Sequence, residues 1–163
     1  MKLLKSFVTK LSDIIEFIQY WTSLGIIAFL TALIFIQVIL RYVFNVPIIW
    51  SHEIASGLLI WLTFMGAGVL TRKQQHLKVD IVFNMFSSNF KKLLNKIFQA
   101  LILIFSLFLI VYSYKLFNQQ LHQIVGSLKL SKAYYFSLPV FIFGITILIY
   151  SLELLITEET KEF

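Results

Sequence analysis

The chain has 163 residues, of which 59% are hydrophobic and 13% are charged, and its formal net charge is +6. A soluble domain has roughly 45–50% apolar and about 25% charged residues, so this chain has too little polar surface for water. It has no cysteine, which excludes structural disulfides, thiolate metal sites and the four-span disulfide enzymes that work with quinones. The basic residues form short clusters between apolar segments, a pattern that indicates membrane anchoring and argues against nucleic acid binding.

Residues 1–20 have the periodicity of an amphipathic helix. Their apolar positions recur every three or four residues and share one face: Leu4, Phe7, Leu11, Ile14, Ile15 and Ile18. The segment lacks the uninterrupted apolar core and small-residue cleavage pattern of a signal peptide, so we expect it to stay in the mature chain. The pattern predicts a helix that lies in the membrane interface.

Four apolar segments are long enough to cross a hydrocarbon core, which takes about 20 helical residues. They lie near residues 21–40, 48–70, 97–117 and 134–156. Lys and Arg are retained on the cytoplasmic side of short loops, and ten of the fourteen basic residues fall on the side that holds both termini. The sequence therefore predicts one domain over residues 1–163, an all-α integral membrane protein with four transmembrane helices and both ends in the cytoplasm.

A further amphipathic segment follows the second span. Residues 78–95 repeat apolar positions at helical spacing, and the pattern continues to about residue 98, with a break expected at Ser87-Ser88-Asn89 and a candidate N-cap at Ser88. We expect a cytoplasmic surface helix that leads into the third span.

The spans lack the groups that chemistry in a membrane requires. Their middles contain no ionisable residue, and Glu53 and Glu153 lie near span ends, where a side chain can reach the interface. The histidines lie in or beside loops, which argues against haem ligation, and contiguous Ser51-His52-Glu53 cannot form a catalytic triad because helical side chains diverge by about 100° per residue. We predict no enzymatic activity, no metal and no cofactor.

Two features inside the spans predict local packing. Pro139, followed by Gly144, is expected to kink the fourth helix near its outer part. A patch of small residues in the second span would let another helix approach, from this chain or from a partner; its members are Thr63, Gly66, Ala67 and Gly68.

The segment from Arg41 to Asp80 resembles one family closely. It reads RYVFNVPIIWSHEIASGLLIWLTFMGAGVLTRKQQHLKVD. It is similar to the signature region of the small membrane subunit (DctQ-like) of tripartite ATP-independent periplasmic (TRAP) transporters. The matching residues, in order, are Arg41, Pro47, Trp50, Glu53, Trp61, Gly66, Ala67, Arg72 and the run from His76 to Asp80.

The rest of the chain agrees with this resemblance more weakly, through Gly126, Ser131 and the run from Pro139 to Gly144. One departure is Ser51-His52, where the family more often has an acidic residue beside the glutamate. The departure removes support for a paired carboxylate at this place.

The resemblance implies an accessory subunit of a secondary transporter. In the family, a large membrane subunit carries the sodium and substrate sites and moves its transport domain like an elevator, and a periplasmic protein captures the substrate. The substrates are typically organic acids, such as C4-dicarboxylates, sialic acid, other sugar acids or keto acids. The implied partners are thus the large membrane subunit, the periplasmic substrate-binding protein and membrane lipids.

The matching positions have candidate roles in structure or partner contact. Arg41 and Glu53 flank one outer loop, and we expect them to pair with each other or to meet charges of a partner. Arg72, His76 and Asp80 are expected to anchor the turn after the second span at lipid headgroups, or to contact a partner. Trp50, Trp61 and Gly66 complete the set of candidates.

Two other functions compete with the accessory subunit. An independent small transporter or exporter that acts as an oligomer would require a carboxylate within the membrane. A membrane enzyme or electron carrier would require histidines or cysteines in the spans. The sequence has neither feature.

Overall fold

The computed structural model describes residues 2–72, 88–126 and 129–159. Its helices are α1 (Lys2–Tyr42), α2 (Ile49–Arg72), α3 (Ser88–Gln120) and α4 (Leu138–Glu159). Between α3 and α4 lie a short antiparallel pair, β1 (Ile124–Val125) and β2 (Leu130–Ser131), and a π-helix over Ala133–Ser137. The pair joins Ile124 to Ser131 and Val125 to Leu130.

The described part contains four helices that are long and apolar enough to cross a membrane, as predicted. They cover Lys5–Tyr42, Ile49–Arg72, Ile97–Gln120 and Ala133–Ile156. Large apolar side chains are exposed on every one of them, for example Phe35, Leu59, Phe105 and Ile145. In lipid, exposed apolar side chains avoid the unfavourable free energy that contact with water would carry.

The helix α1 is continuous over 41 residues, from the predicted interfacial segment into the first span. The boundary expected near residue 20 is therefore not a break in the helix. The helix α3 likewise begins at Ser88, where the sequence predicted a break, and runs unbroken into the third span. Of the predicted segment 78–95, the part before Ser88 lies outside the described residues.

The helix α4 is the centre of the bundle. It packs against α1, α2 and α3, whereas α3 packs chiefly against α4 and the π-helix. A small apolar core forms between α1 and α2, where Leu30, Leu33 and Ala55 are buried. In α4, Ile147 and Tyr150 are buried, with 4% and 0% of their surfaces exposed. The span in α1 is the most exposed of the four described spans.

Candidate functional site

Arg72, the last residue of α2, binds three carboxylates from two other helices. Its Nη2 lies 2.5 Å from Asp13 Oδ1, and its Nη1 lies 2.5 Å from Glu16 Oε2. Nε and Nη2 also donate to the two oxygens of Glu153, at 3.0 Å each. A guanidinium holds its donors in a planar fork, so this bidentate pair fixes direction as well as distance. We call these four residues the Arg72 cluster.

The local sequence explains why the Arg72 cluster forms. Asp13 and Glu16 are three residues apart on α1, so both carboxylates project from one face of the helix. The C-terminus of α2 carries negative partial charge, which favours a cation at Arg72. The side chains of Arg72 and Glu153 are 14% and 12% exposed, so the pair is largely removed from water. The cluster therefore joins α1, α2 and α4 at one end of the bundle.

Arg72, for which the sequence predicted anchoring at lipid headgroups or contact with a partner, binds carboxylates of its own chain. Four hydrogen bonds occupy its guanidinium. Glu153, which was expected to reach the interface by itself, is held by Arg72. His76 and Asp80, the other members of that predicted anchor, lie outside the described residues.

A neutral polar network continues from the cluster into the bundle. Arg72 Cζ lies 5.7 Å from the centre of the Tyr150 ring, and Tyr150 O–H donates to Gln19 Oε1 at 3.0 Å. Gln19 Nε2 in turn donates to Thr146 Oγ1 at 3.4 Å. Gln19 is 4% exposed and Tyr150 is fully buried. Because buried polar groups are costly unless bonded, these three side chains satisfy one another instead of offering a site for a solute.

Gly68 makes room for this network. A Cβ at Gly68 would lie 2.9 Å from the amide atoms of Gln19, closer than side chains tolerate. A Cβ at Gly66 would have no neighbour within 4 Å. The predicted small-residue patch thus has two sides: Gly68 serves packing within the chain, and Gly66 faces outward.

At the opposite end of the bundle, Glu53 packs against the connection between α3 and α4. Gly126 has a positive φ of 50°, and a Cβ there would overlap the Glu53 carboxylate. Arg41 is exposed and lies over the Tyr42 ring, with Cζ 5.7 Å from its centre. The salt bridges of the described residues do not include the expected Arg41–Glu53 pair. Arg41 lies over Tyr42, whereas Glu53 lies against Gly126.

Trp61 completes the hydrogen bonding of the π-helix. In a π-helix the carbonyl of residue i accepts from residue i+5, and the Leu138 N–H does donate to Ala133 O. The same pattern would assign the carbonyl of Tyr134 to residue 139, but Pro139 has no N–H. Trp61 Nε1–H donates to that carbonyl instead, at 3.1 Å. The π-helix ends at Ser137, two residues before Pro139.

Gln120 fixes the rest of the connection between α3 and α4 to the end of α3. Its carbonyl accepts from Ser131 Oγ at 3.0 Å, and its side-chain Oε1 accepts from Ser137 Oγ at 2.6 Å. Gly57 brings α2 against the same region, because a Cβ there would overlap the Tyr135 ring. The connection between α3 and α4 is therefore packed against α2 and hydrogen bonded to α3.

The remaining predicted residues form no reactive group. Trp50 is 42% exposed, and Ser51 Oγ donates to Ile48 O at 2.7 Å, while His52 is exposed. Within the described ranges, no group of three or more His, Asp or Glu residues is arranged to hold a metal ion. Reasoning from sequence missed Asp13, Gln19 and Gln120; the one available signal was the polar series Asp13, Glu16, Gln19 at three-residue spacing on an amphipathic helix.

Comparison with known proteins identifies the family. Residues 30–159 match the model of the family described as "Tripartite ATP-independent periplasmic transporters, DctQ component". The chain is 34% identical over 84 residues to a putative TRAP transporter small permease protein of Haemophilus influenzae, which covers 52% of this chain and 48% of that protein. It is 32% identical over 85 residues to the C4-dicarboxylate TRAP transporter small permease protein DctQ of Vibrio cholerae, covering 52% and 37%.

A third relative is the sialic acid TRAP transporter permease protein SiaT of Haemophilus influenzae, 27% identical over 101 residues. That match covers 62% of this chain and 16% of the relative. The chain thus spans less than half the length of each of these curated relatives. The family model, which matches most of the chain and all four spans in whole or in part, is decisive: the chain belongs to the DctQ component family of TRAP transporters and is a multi-pass permease subunit of the bacterial inner membrane, not an enzyme.

Proposed function

We propose that the chain is the small accessory membrane subunit of a sodium-coupled TRAP transporter. In this proposal it extends the stationary scaffold of the large, elevator-type membrane subunit. The transporter takes up an organic acid that a periplasmic binding protein delivers. Both ends of the chain lie in the cytoplasm, so the Arg72 cluster lies at the cytoplasmic end of the bundle.

The observation that carries the proposal is the use of polar groups inside the bundle. A transport site needs polar side chains that are free to exchange partners with a solute or an ion. Here Gln19, Tyr150 and Thr146 bond to one another, and Arg72 binds carboxylates of its own chain. These contacts hold helices together, which is the property that a stationary wall requires.

A moving transport domain exerts lateral force on the wall beside it. A scaffold resists this force if its helices cannot slide past one another. Ion pairs and hydrogen bonds at both ends of the bundle oppose sliding better than apolar packing, which has no preferred register. The Arg72 cluster ties α1, α2 and α4 at one end, and Trp61 and Gln120 tie α2, α3 and the π-helix at the other. These contacts support the proposed scaffold function.

The alternative is an independent four-helix transporter that acts as an oligomer. It requires an ionisable group near the middle of the membrane. The carboxylates of the described spans are at the ends: Asp13 and Glu16 at the level of Arg72, Glu153 beside them, and Glu53 near the start of α2. This placement favours the accessory subunit.

The experiment is co-expression with the large membrane protein encoded by the neighbouring gene, purification through a tag on this chain, and uptake in proteoliposomes under a sodium gradient. We expect a stable complex whose uptake, in the presence of the binding protein, is lost when this chain is omitted. Purification of the chain alone, with uptake by that chain in liposomes, would establish the alternative.

A further inference from the structure

The connection between α1 and α2 exposes an apolar surface that carries no charge. Residues 43–48 read VFNVPI, and Asn45 supplies their only polar side chain. The large apolar side chains of this connection and of the helix ends beside it are 42–74% exposed: Tyr42, Val43, Phe44, Val46, Ile49 and Trp50. We call residues 43–48 the α1–α2 loop.

The connection between α3 and α4 has a different character, although it lies at the same end of the bundle. Glu53, near the start of α2, lies against Gly126 in that connection. Residues 121–132 include two lysines and a histidine, of which His122 and Lys129 are exposed. Charged and polar side chains favour water or lipid headgroups, and an apolar loop does not. The two connections are therefore suited to different surroundings.

The length of α2 sets the level of the α1–α2 loop in the membrane. The Arg72 cluster includes Asp13, whose side chain is 62% exposed, so the cluster lies at or beyond one edge of the hydrocarbon. The 24 residues of α2 measure about 36 Å and rise about 34 Å at the usual tilt of about 20°. Since the hydrocarbon is about 30 Å thick, Ile49 lies no more than about 4 Å beyond its opposite edge.

The α1–α2 loop does not project from this level into water. Asn45 has a positive φ of 55°, a left-handed conformation that asparagine tolerates and that reverses the chain. Val43 N–H donates to Ile39 O at 2.8 Å, and Val46 N–H donates to Leu40 O at 2.9 Å. The loop is thus folded onto the last turns of α1, and it stays within the interfacial layer, which is about 5–8 Å deep on each side of the membrane.

The residues that flank the loop favour this layer. Tyrosine and tryptophan rings are enriched at membrane interfaces, and Tyr42 and Trp50 are exposed on the two sides of the loop. Arg41 is exposed at the end of α1, where its guanidinium matches the negative charge of phospholipid phosphates. Contact of the apolar side chains with water would be unfavourable in proportion to their area. Lipid accounts for the loop and for its flanking residues together.

We infer that the α1–α2 loop inserts into the membrane interface opposite the Arg72 cluster, with its apolar side chains against phospholipid acyl chains. The occupant of this surface is phospholipid and not a protein. The inference goes beyond the proposed function and does not depend on it, since it requires only that the helices span a bilayer.

The test measures how often oxygen and a water-soluble nickel chelate collide with a spin label. The chain has no cysteine, so Phe44→Cys, Gln123→Cys or Phe105→Cys carries the label, with the full chain in phosphatidylcholine vesicles. Gln123 is exposed in the charged connection, and Phe105 is exposed within the third span. Oxygen concentrates in lipid, and the chelate is excluded from it. We expect nickel collisions at Phe44→Cys to be at least about fivefold rarer than at Gln123→Cys, and oxygen collisions to be more frequent, as at Phe105→Cys.

A repeat with the neighbouring large membrane protein in the same vesicles separates lipid from a protein cover. We expect the label at Phe44→Cys to keep frequent oxygen and rare nickel collisions. Nickel collisions as frequent as at Gln123→Cys would place the loop in water and overturn the inference. Loss of both kinds of collision beside the large protein would also overturn it, because the loop would then lie in a protein interface. If the two proteins do not associate, the proposed function fails, while the result with the chain alone still decides the inference.

Matched substitutions test the insertion with the label at Val46→Cys. Phe44→Asp is expected to raise nickel collisions at this label by about threefold or more, because a carboxylate draws the loop toward water. Phe44→Leu, which keeps an apolar side chain, should leave them unchanged. Equal nickel collisions in the two variants would contradict the insertion of the loop into lipid.

Discussion

Replacing Arg72 by alanine is expected to destabilise the bundle more than any other charge removal at a helix end. The change leaves three carboxylates at one place without their shared cation, and Glu153 and Glu16 are only 12% and 24% exposed. Removing one partner of a buried pair costs about 3–5 kcal/mol, whereas an exposed pair such as that with Asp13, 62% exposed, is worth about 0–1 kcal/mol. Since the cluster is partly exposed, we expect a loss of about 3 kcal/mol.

The assay is thermal unfolding of the purified chain in detergent, followed by the fluorescence of its three tryptophans. At about 2–4 °C for each kcal/mol in a chain of this size, the midpoint should fall by about 6–12 °C. Arg41→Ala is the matched control, because Arg41 is exposed and outside the ion pairs described here, and its midpoint should stay within about 1 °C of wild type. Adding Glu153→Gln to Arg72→Ala should recover part of the loss, because it removes one of the repelling charges.

Equal midpoints for Arg72→Ala and Arg41→Ala would refute the reasoning. Such a result would mean that the carboxylates are solvated well enough to need no cation, and that the contacts of Arg72 do not hold the three helices together.

Two further substitutions test the connection between α3 and α4 and the packing of α2. Trp61→Phe removes the donor to the Tyr134 carbonyl and should cost about 1 kcal/mol by circular dichroism melting. The cost should shrink when Pro139→Ala restores a backbone N–H, and equal costs in both backgrounds would contradict the assigned role of Trp61. Gly57→Ala should lower the melting midpoint, because its Cβ would overlap a tyrosine ring, whereas Gly66→Ala, which has open space, should leave the midpoint of the isolated chain unchanged. Similar midpoints for the two glycine variants would show that α2 can shift without loss.

The architecture could be predicted from sequence because spans are defined by local composition. Runs of about 20 apolar residues are visible without knowledge of any contact, and the four predicted spans match the four helices that can cross a membrane. The continuity of α1 could not be predicted in the same way. The boundary placed near residue 20 followed from a change in composition, and composition does not decide whether a helix is interrupted.

The contacts of the candidate site depend on pairs that are distant in sequence. Arg72 meets Asp13 and Glu153 across separations of 59 and 81 residues, and no local pattern couples them. The amphipathic pattern of residues 1–20 does not by itself say which face is inside, so the contacts of Asp13, Glu16 and Gln19 with the other helices could not be predicted from it. In a membrane protein the usual assignment can be reversed, because lipid covers apolar side chains and the bundle covers polar ones.

The connection between α3 and α4 shows a similar limit. Pro139 and Gly144 predicted a kink in the fourth helix, whereas the π-helix over Ala133–Ser137, which precedes the proline, was not predicted. The sequence alone does not show that Trp61 supplies the missing donor, since it lies 73 residues from its acceptor. The strands β1 and β2, two residues each, were not predicted, because a pair that short has no alternating pattern to detect.

The central claim is that this chain is a stationary scaffold, and a distance measurement in the assembled transporter tests it most directly. The chain has no cysteine, so spin labels attach only at introduced positions, here the exposed residues Val46, between α1 and α2, and Gln123, between α3 and α4. The account predicts one distance distribution between these labels, which is the same without ligand, with sodium, and with sodium and loaded binding protein. A second distance that appears under transport conditions would show that the chain moves internally during the cycle and would contradict the account.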